Sequence, residues 1–332
     1  MSSQNGQHPS FVNMPSDPPL LQVKDLQVEY LSTRGPVKAV DGVSFNIHPG
    51  EVVGLAGESG SGKSTVAHAI LRILRPPALI TGGEVLFSGR DTLKMDDAEL
   101  EKFRWSNISI VFQSAMNSLN PVMRVRDQLL DVMQYHGFPK AQALQRAERL
   151  FDLVGIDTNR LNAYPHQLSG GMRQRAVIAI ALALSPDMLI MDEPTTALDV
   201  VVQKDILQQI ALLREKLGFS VLFITHDLSL LVEFSTRILI MYAGEIVENA
   251  QAHTLFKNPL HPYTVGLMNS FPSISGEKHK LMGIPGSPPD LVAPPSGCRF
   301  HPRCSQAMAK CFEITPALKS VAPGQSVACH LY

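Results

Sequence analysis

The residues of this chain that could do chemistry begin with a run of glycines that leads into a lysine and a serine. The run is Gly57-Glu58-Ser59-Gly60-Ser61-Gly62-Lys63-Ser64, which fits G-x-x-x-x-G-K-[ST] at every fixed position. Glycines let the backbone wrap closely around a phosphate, and the amides at a helix start attract the anion. We expect Lys63 to reach the outer phosphates, the Ser64 hydroxyl to ligate Mg²⁺, and Thr65 to line the same nucleotide site. An ordinary glycine-rich turn is the alternative, but it explains neither the apolar strand before the run nor the helical pattern after it.

Two adjacent carboxylates form a second candidate group. Asp192 and Glu193 directly follow the apolar run Met188-Leu189-Ile190-Met191. We expect Asp192 to hold Mg²⁺ through water and Glu193 to polarise the attacking water, because neighbouring residues at a strand end point in opposite directions. A solvated acidic turn before Pro194 is the alternative, and it would be favoured if the pair stood without the phosphate loop.

Polar residues also end two further apolar runs. His226 follows residues 221–225, where it could contact the terminal phosphate and the attacking water. Gln113 follows residues 108–112, where it could touch both Mg²⁺ and that water. A lone histidine or glutamine is usually structural, so these two assignments depend on the wider pattern of the chain.

The elements that must position these side chains are strands alternating with helices. We predict strands at 21–30, 40–47, 51–55, 84–87, 108–112, 188–192 and 220–225, helices at 63–74 and 202–217, and a largely helical block over 125–184. This alternation predicts an α/β fold whose parallel sheet is covered on both faces.

Composition and charge narrow the functional classes. The chain has 332 residues, of which 45% are hydrophobic and 18% charged, a globular composition. Its 29 basic and 30 acidic residues nearly balance, so we expect no nucleic-acid partner, because gripping phosphates needs clustered Lys and Arg. The longest apolar run, 176–184, is too short to cross a bilayer, and the polar segment 1–19 lacks the pattern of a secretion signal. We therefore expect a cytoplasmic chain with a disordered N-terminal arm.

A third motif separates the many phosphate-loop families from one another. The run Leu168-Ser169-Gly170-Gly171-Met172-Arg173-Gln174 resembles the LSGGQ signature of ABC ATPases, with Met172 in place of the usual glutamine. A Ser-Gly-Gly helix start makes a second anion site from bare amides and the helix dipole, although a plain capped helix start is the alternative. In the ABC family, this site closes over the ATP that the partner subunit holds.

The resemblance to ABC ATPases extends over about residues 20–270, and it assigns several roles. It implies that Tyr30 stacks on adenine, that Gln113 forms the Q-loop, that Ala197-Leu198-Asp199 forms the D-loop and that His226 is the switch histidine. It also implies ATP and Mg²⁺ as ligands. The implied fold is a RecA-like phosphate-loop core with an antiparallel β subdomain and an α-helical subdomain inserted at about 114–185.

Further segments resemble one branch, the ATPase subunits of oligopeptide and dipeptide importers. They are Ser118-Leu119-Asn120-Pro121, His261-Pro262-Tyr263-Thr264, Ile284-Pro285-Gly286-Ser287-Pro288-Pro289 and residues 297–304. Ser114-Ala115 departs from the Asp-Pro more usual in this branch, and some relatives import nickel or oligosaccharides instead. The branch implies a second, commonly distinct ATPase subunit, two transmembrane permease subunits and an extracytoplasmic solute-binding protein, with this chain on the cytoplasmic face of the inner membrane.

The segment 271–332 is rich in Pro, Gly and Cys, and we expect it to form an extension beyond a nucleotide-binding domain at 20–270. All four cysteines, Cys298, Cys304, Cys311 and Cys329, lie in the last 35 residues. A reducing cytosol disfavours disulfides, whereas four thiolates suit zinc or an iron–sulfur cluster. The spacing C-x5-C-x6-C-x17-C lacks a C-x2-C knuckle and favours a [4Fe-4S] cluster, which the tails of some relatives are thought to hold. Zinc and free, packed thiols are the alternatives.

Three rival classes share parts of this pattern. DNA-repair and chromosome ABC ATPases place a long coiled coil between phosphate loop and signature, but only 105 positions (168 − 63) separate Lys63 from Leu168 here. ABC translation factors carry two phosphate loops per chain, and this sequence has one. Exporter ATPases share the core motifs, and it is the segment from Ile284 to Cys329 that argues for import.

Overall fold

The computed structural model describes residues 18–113, 118–194, 199–270 and 283–332. Its strands are β1 (Leu21–Ser32), β2 (Gly35–Ile47), β3 (Val52–Ala56), β4 (Ala78–Phe87), β5 (Arg90–Asp91), β6 (Ile108–Val111), β7 (Met188–Asp192), β8 (Ser220–Ile224), β9 (Arg237–Tyr242), β10 (Glu245–Gln251), β11 (Lys319–Ala322) and β12 (Gln325–Val327). Its helices are α1 (Lys63–Ile70), α2 (Asp97–Ser106), α3 (Val125–Tyr135), α4 (Lys140–Leu153), α5 (Gly170–Ala181), α6 (Val200–Leu217), α7 (Leu228–Phe234), α8 (Ala252–Lys257), α9 (Pro262–Asn269) and α10 (Lys310–Glu313).

Two sheets organise these elements. The larger sheet has the order β11-β12-β10-β9-β3-β8-β7-β6, and it is parallel from β9 to β6. Its central strands β3, β7 and β8 are buried along their whole length, as expected for parallel strands covered on both faces. The smaller sheet is antiparallel, in the order β2-β1-β4-β5. The predicted α/β class, with a parallel core and an antiparallel sheet, is confirmed.

The block between β6 and β7 is largely helical, as the sequence pattern predicts. Helix α4 shows why: its buried residues Ala143, Ala147, Leu150 and Phe151 recur at helical spacing and form one apolar face. They share a buried core with Leu129 and Met133 of α3, which α4 contacts directly.

Strand β4 begins six residues before the predicted start at Glu84. Gly82 and Gly83 lie within it, and glycine gives no strand signal in a sequence pattern. A Cβ on Gly83 would lie 2.5 Å from the carbonyl oxygen of Asp25, so the absent side chain is what lets β1 and β4 approach each other. Helix α1, in contrast, ends at Ile70, short of the predicted Leu74.

The C-terminal residues join the main sheet, although their sequence shows no periodicity. Strand β12 pairs antiparallel with β10, from Glu248 opposite Val327 to Ala250 opposite Gln325, and β11 adds to its outer edge. The division of the chain at 270/271 stays a prediction, because residues 271–282 lie outside the described ranges.

Within the described ranges, no helix combines the length and the apolar character that crossing a membrane requires.

Candidate functional site

The phosphate loop connects the buried strand β3 to helix α1. Gly57 and Gly62 both have positive φ, +153° and +103°. A Cβ on Gly57 would lie 2.1 Å from the carbonyl oxygen of Met241, and one on Gly62 would lie 2.2 Å from that of Ala39. Any other residue would therefore clash with backbone at these two positions, which accounts for the glycines of the motif.

Lys63 is buried and reaches back across the loop. Its Nζ donates hydrogen bonds to the carbonyl oxygens of Gly57 and Glu58, each at 2.9 Å. Burial lowers the pKa of this lysine, while the carboxylates of Glu193, Asp192 and Glu58 act in the opposite direction. The ammonium is thus held over the loop, where it can meet a phosphate.

Ser64 joins the phosphate loop to the end of β7. Its Oγ donates to Oδ1 of Asp192 at 3.0 Å. Asp192 is only 2% exposed, and its burial raises the pKa of the carboxyl, an effect partly offset by the Ser64 hydrogen bond and by His68. Two oxygen donors at this separation are the kind that a hard cation prefers, so the donor set fits Mg²⁺.

Glu193 lies one residue beyond β7, between the ends of β6 and β8. Its Oε2 accepts a hydrogen bond from Nε2 of Gln113 at 2.9 Å, and its Oε1 lies 3.2 Å from Nδ1 of His226. The backbone amide of Glu193 donates to the carbonyl oxygen of Ile224 at 2.8 Å. The three residues predicted as catalytic are therefore brought together, because parallel strands end at the same sheet edge.

The backbone of Glu193 is strained, with a φ of +46°. Such a conformation in a non-glycine residue costs about 1–3 kcal/mol and is characteristic of functional sites. The neighbouring hydrogen bonds hold the strain and fix the carboxylate in place. The sequence gives no signal of this positive φ.

Tyr30 lies beside the first turn of α1. Its hydroxyl is 3.3 Å from Oγ1 of Thr65. The ring lines a cavity of about 480 Å³ whose walls are mainly apolar and whose residues are Tyr30, His68, Ile73, Leu74, Arg75 and Phe112. An aromatic ring beside an apolar cavity and a phosphate loop is consistent with the predicted stacking on a nucleotide base.

The signature segment starts helix α5. Ser169 is its N-cap, and the Ser169 Oγ accepts a hydrogen bond from the amide of Met172 at 3.3 Å. Asp199 caps α6 in the same way through Val202, and a Cβ on Gly171 would lie 3.2 Å from Cγ1 of Val202. The two helix starts therefore lie side by side. Ala197 and Leu198 of the predicted D-loop, and Ser114-Ala115, lie outside the described residues.

Two residues at the site were missed by the sequence analysis. Arg303 donates two hydrogen bonds to the carboxylate of Glu58, and the hydroxyl of Tyr263 accepts one from the Glu58 amide. Their segments stood out in the sequence only as marks of a branch. A contact across 245 positions leaves no local signal.

The four cysteines are free thiols in the same C-terminal region. Burial raises the pKa of Cys298 to about 11 and that of Cys304 and Cys329 above its usual value, and neighbouring thiols add to each shift. Across the described ranges, no three His, Cys, Asp or Glu side chains converge where they could hold a metal ion. The predictions of a [4Fe-4S] cluster and of zinc are therefore not supported, whereas the packing of Cys298 and Cys304 against the core matches the alternative of packed thiols.

A phosphate loop facing two carboxylates, a glutamine and a histidine at parallel strand ends defines a nucleotide-hydrolysing α/β protein. Comparison with known families identifies the kind. Residues 40–196 match the ABC transporter family, and residues 247–311 match the oligopeptide/dipeptide transporter C-terminal region.

Individual relatives agree with these matches. The dipeptide transport ATP-binding protein DppD of Caldanaerobacter subterraneus is 43% identical over 94% of this chain and 97% of its own length. The oligopeptide transport ATP-binding protein OppD of Escherichia coli is 43% identical over 93% and 92%. Among solved structures, the dimeric ABC transporter cassette MJ0796 superimposes with a TM-score of 0.62 at 31% identity, covering 70% of this chain and 98% of its own.

The chain belongs to the ABC transporter family, among the ATP-binding subunits of oligopeptide and dipeptide importers. It is an ATPase of that family.

Proposed function

We propose that this chain hydrolyses ATP to drive the uptake of oligopeptides or dipeptides. The match of its C-terminal region and the names of its relatives support the peptide substrate. The observation that carries the catalytic assignment is the grip on Glu193 by Gln113 and His226, next to the Ser64–Asp192 pair. Uptake of oligosaccharides or nickel by the same mechanism is the alternative.

The phosphate loop, residues 57–65, binds the phosphates of ATP. Its amides and the start of α1 attract the anion, and Lys63 supplies the cation. Ser64 and Asp192 would hold Mg²⁺, with Gln113 close by, and a metal bound there would neutralise phosphate charge. Tyr30 stacks on the adenine from the apolar cavity that it lines.

Glu193 polarises the water that attacks the terminal phosphate. A carboxylate works best in this role when its rotamer is fixed, and the hydrogen bonds from Gln113 and His226 fix it from both sides. His226 is largely exposed at the sheet edge, so it can also turn toward a phosphate. The histidine and the glutamine thus position Glu193 and the water together.

The α5 helix start acts on a neighbouring subunit. Ser169 is exposed, and the adjacent Val200 and Val201 are 75% and 78% exposed at the start of α6. Exposed apolar residues beside an anion-binding helix start are expected where a partner packs. Ser169, Gly170, Gly171 and Asp199 therefore complete the ATP site of a second ATPase subunit, as that subunit completes this one.

The remaining partners follow from family membership. We infer two transmembrane permease subunits, an extracytoplasmic solute-binding protein and a second, homologous ATPase, with this chain on the cytoplasmic face of the inner membrane. Closure of the ATPase pair on ATP would move the permeases between access states.

Reconstitution of the full transporter in vesicles tests this function. We expect a peptide-loaded binding protein to stimulate ATP hydrolysis and peptide uptake, and the Glu193→Gln substitution to abolish both. Stimulation by a sugar-loaded or nickel-loaded binding protein in place of the peptide-loaded one would favour the alternative substrates. An ATPase rate that ignores every binding protein would contradict the role in import.

A further inference from the structure

The C-terminal part of the chain holds the phosphate loop at Glu58. The Glu58 amide donates to the hydroxyl of Tyr263 at 2.8 Å. Its carboxylate accepts from Nη1 of Arg303 at 2.7 Å and from Nη2 at 3.0 Å, a two-point ion pair. Tyr263 is fully buried and Arg303 is 9% exposed, so solvent screens these contacts weakly.

Arg303 is itself fixed by further contacts. Its Nε donates to the carbonyl oxygen of Pro285 at 2.9 Å. Its guanidinium lies 5.8 Å from the ring centre of Tyr242 and 6.0 Å from that of Phe300. A planar guanidinium held by a carbonyl and two rings presents its two donors to Glu58 in one orientation.

The same part of the chain also covers the loop from one side. A cavity of about 160 Å³ separates residues 58–61 of the loop from Pro288, Pro289 and Leu291. Pro288, Pro289 and Leu291 therefore flank residues 58–61 of the loop across this cavity, and Tyr263 and Arg303 contact the loop directly at Glu58.

A carboxylate within an anion-binding loop needs a counter-charge. Glu58 would repel a polyphosphate, and the repulsion is larger at a partly buried site than in water. Pairing with Arg303 removes this net charge from the loop. Glu58 also accepts, through its carbonyl oxygen, one of the hydrogen bonds that place Lys63. The position of Glu58 thus bears on both the charge of the loop and the place of its lysine.

We propose that Arg303 and Tyr263 are positioning residues for the ATP site, which hold the phosphate loop through Glu58 and make ATP affinity depend on the C-terminal region. This inference rests on the proposed role of the phosphate loop in binding ATP. It adds that full ATP affinity requires Tyr263 and Arg303, which lie 205 and 245 positions from Glu58 in the chain.

Calorimetric titration of the full chain with a non-hydrolysable magnesium–ATP analogue tests the proposal. Truncating one member of a buried charge pair leaves the other unpaired, so we expect Arg303→Gln to weaken binding about tenfold. The double variant Glu58→Gln/Arg303→Gln removes both charges but leaves two amide side chains that can hydrogen-bond to each other and still hold the loop, so it should bind within about threefold of the wild type. A merely structural role for Arg303 would give no such rescue.

Arg299→Gln is the matched control. Arg299 is a second buried arginine of the same region, and it pairs with Asp41 and Glu245 without contacting the phosphate loop. We expect this variant to keep wild-type affinity. In steady-state hydrolysis, Arg303→Gln should raise KM about tenfold and leave kcat within about twofold, the pattern of a lost binding contribution.

Three results would overturn the proposal: wild-type affinity in Arg303→Gln, equal losses in Arg303→Gln and Arg299→Gln, or failure of the double variant to recover. Should Arg303→Gln not fold, Tyr263→Phe decides, because it removes only the acceptor for the Glu58 amide. We expect it to weaken binding about threefold, and unchanged affinity would count against the proposal.

Lys63→Met separates this proposal from the one on which it rests. Wild-type affinity in that variant would show that the phosphate loop is not the ATP site. Loss of binding in Lys63→Met, together with normal binding in Arg303→Gln, would overturn the role of the C-terminal region alone.

Discussion

Two glycine-led helix starts in this molecule have opposite surroundings. At the start of α1, Gly57 and Lys63 are buried, and residues from five other parts of the chain lie against the loop: Ala39, Asp192, Met241, Tyr263 and Arg303. At the start of α5, Ser169 is exposed, and its side chain accepts a hydrogen bond from the amide of Met172 within its own helix turn. Both starts present amides to an anion, but only the first has a lysine as its first helical residue.

The difference between the two helix starts supports the proposal that this chain works as a pair with a second ATPase subunit. An enclosed start with a lysine can bind a triphosphate by itself. An exposed start without a lysine at its first residue holds an anion less firmly, so we propose that it acts when another subunit brings the anion to it. On this proposal, the first site governs ATP affinity, and the second governs the turnover of the ATP that the partner subunit holds.

The largest expected effect tests whether the α1 start of one subunit and the α5 start of its partner bind the same nucleotide. Replacing Glu193 with Gln removes the general base and should slow hydrolysis by about 10²–10⁴-fold. ATP binding should persist, so the variant should accumulate as an ATP-bound pair in gel filtration with its natural partner subunit. Unchanged turnover would show that Glu193 is not the general base. If no ATP-bound pair of subunits formed, the two helix starts would not bind the same nucleotide.

The next effect compares the two starts directly. Lys63→Met should weaken ATP binding to the single chain about 100-fold, since it removes a buried charge contact to phosphate. Ser169→Ala, the matched change at the other start, should leave that affinity unchanged and lower the hydrolysis rate of the assembled pair. Calorimetry and a phosphate-release assay measure the two quantities. An equal loss of ATP affinity in Lys63→Met and Ser169→Ala would show that the two helix starts do not differ in their contribution to ATP binding.

Folding stability should distinguish the glycines of the two starts. Gly57→Ala places a Cβ against a backbone carbonyl at positive φ, and we expect it to lower the free energy of unfolding by about 2 kcal/mol. Gly171→Ala meets only a side-chain methyl of Val202 and should change stability by less than about 1 kcal/mol. Urea unfolding of both variants measures this. Equal destabilisation would contradict the stated difference in packing.

The smallest destabilisation, taken per pH unit, is an acid sensitivity centred on His261, the N-cap of α9. His261 is buried, and burial lowers its pKa to about 3 from the usual 6.5. Its Nδ1 accepts a hydrogen bond from the amide of Tyr263, which a proton would break. Between pH 6.5 and about 3, His261 is protonated in the unfolded chain but stays neutral in the folded chain. The free energy of unfolding therefore falls as the pH falls, by at most about 1.4 kcal/mol per pH unit.

His261→Asn provides the control for the acid effect. Asparagine keeps a cap for α9 but does not titrate in this range. We expect the difference in unfolding free energy between wild type and His261→Asn to depend on pH below 6.5 and to be constant above about pH 7.5. Parallel stability curves would show that His261 is not the acid-sensitive group. The start of α5 should contribute no pH dependence of this kind, since its N-cap, Ser169, does not titrate.

The local parts of the site were predictable from the amino-acid sequence. A phosphate loop needs contiguous glycines, a lysine and a hydroxyl, and a strand of apolar residues ends where its first carboxylate stands. The phosphate loop (residues 57–64) and the strand with its two carboxylates (residues 188–193) could therefore be predicted from the spacing of their residues. The strand Met188–Asp192 was predicted with its observed bounds, because an uninterrupted apolar run between polar residues leaves one choice.

Other parts were not predictable, for reasons that particular residues show. The early start of β4 could not be predicted because Gly82 and Gly83 carry no strand signal. Glycine is required at Gly83 because β1 lies close to it, which only the folded structure shows. The strands β11 and β12 carry little periodicity, and pairing with β10 is what makes them strands. The cysteines cluster in the sequence, but no metal-holding group forms among the described residues.

The chemistry proposed for this protein could be predicted from the amino-acid sequence alone. The candidate residues for binding phosphate and metal, and the family to which the chain belongs, were all indicated by short runs of fixed spacing. The arrangement of those motifs in space is set by the fold. The fold brought Gln113 and His226 onto Glu193, and it set Arg303 against Glu58. Such pairings join residues far apart in the chain, and their free energy depends on a geometry that exists only once the sheet has formed.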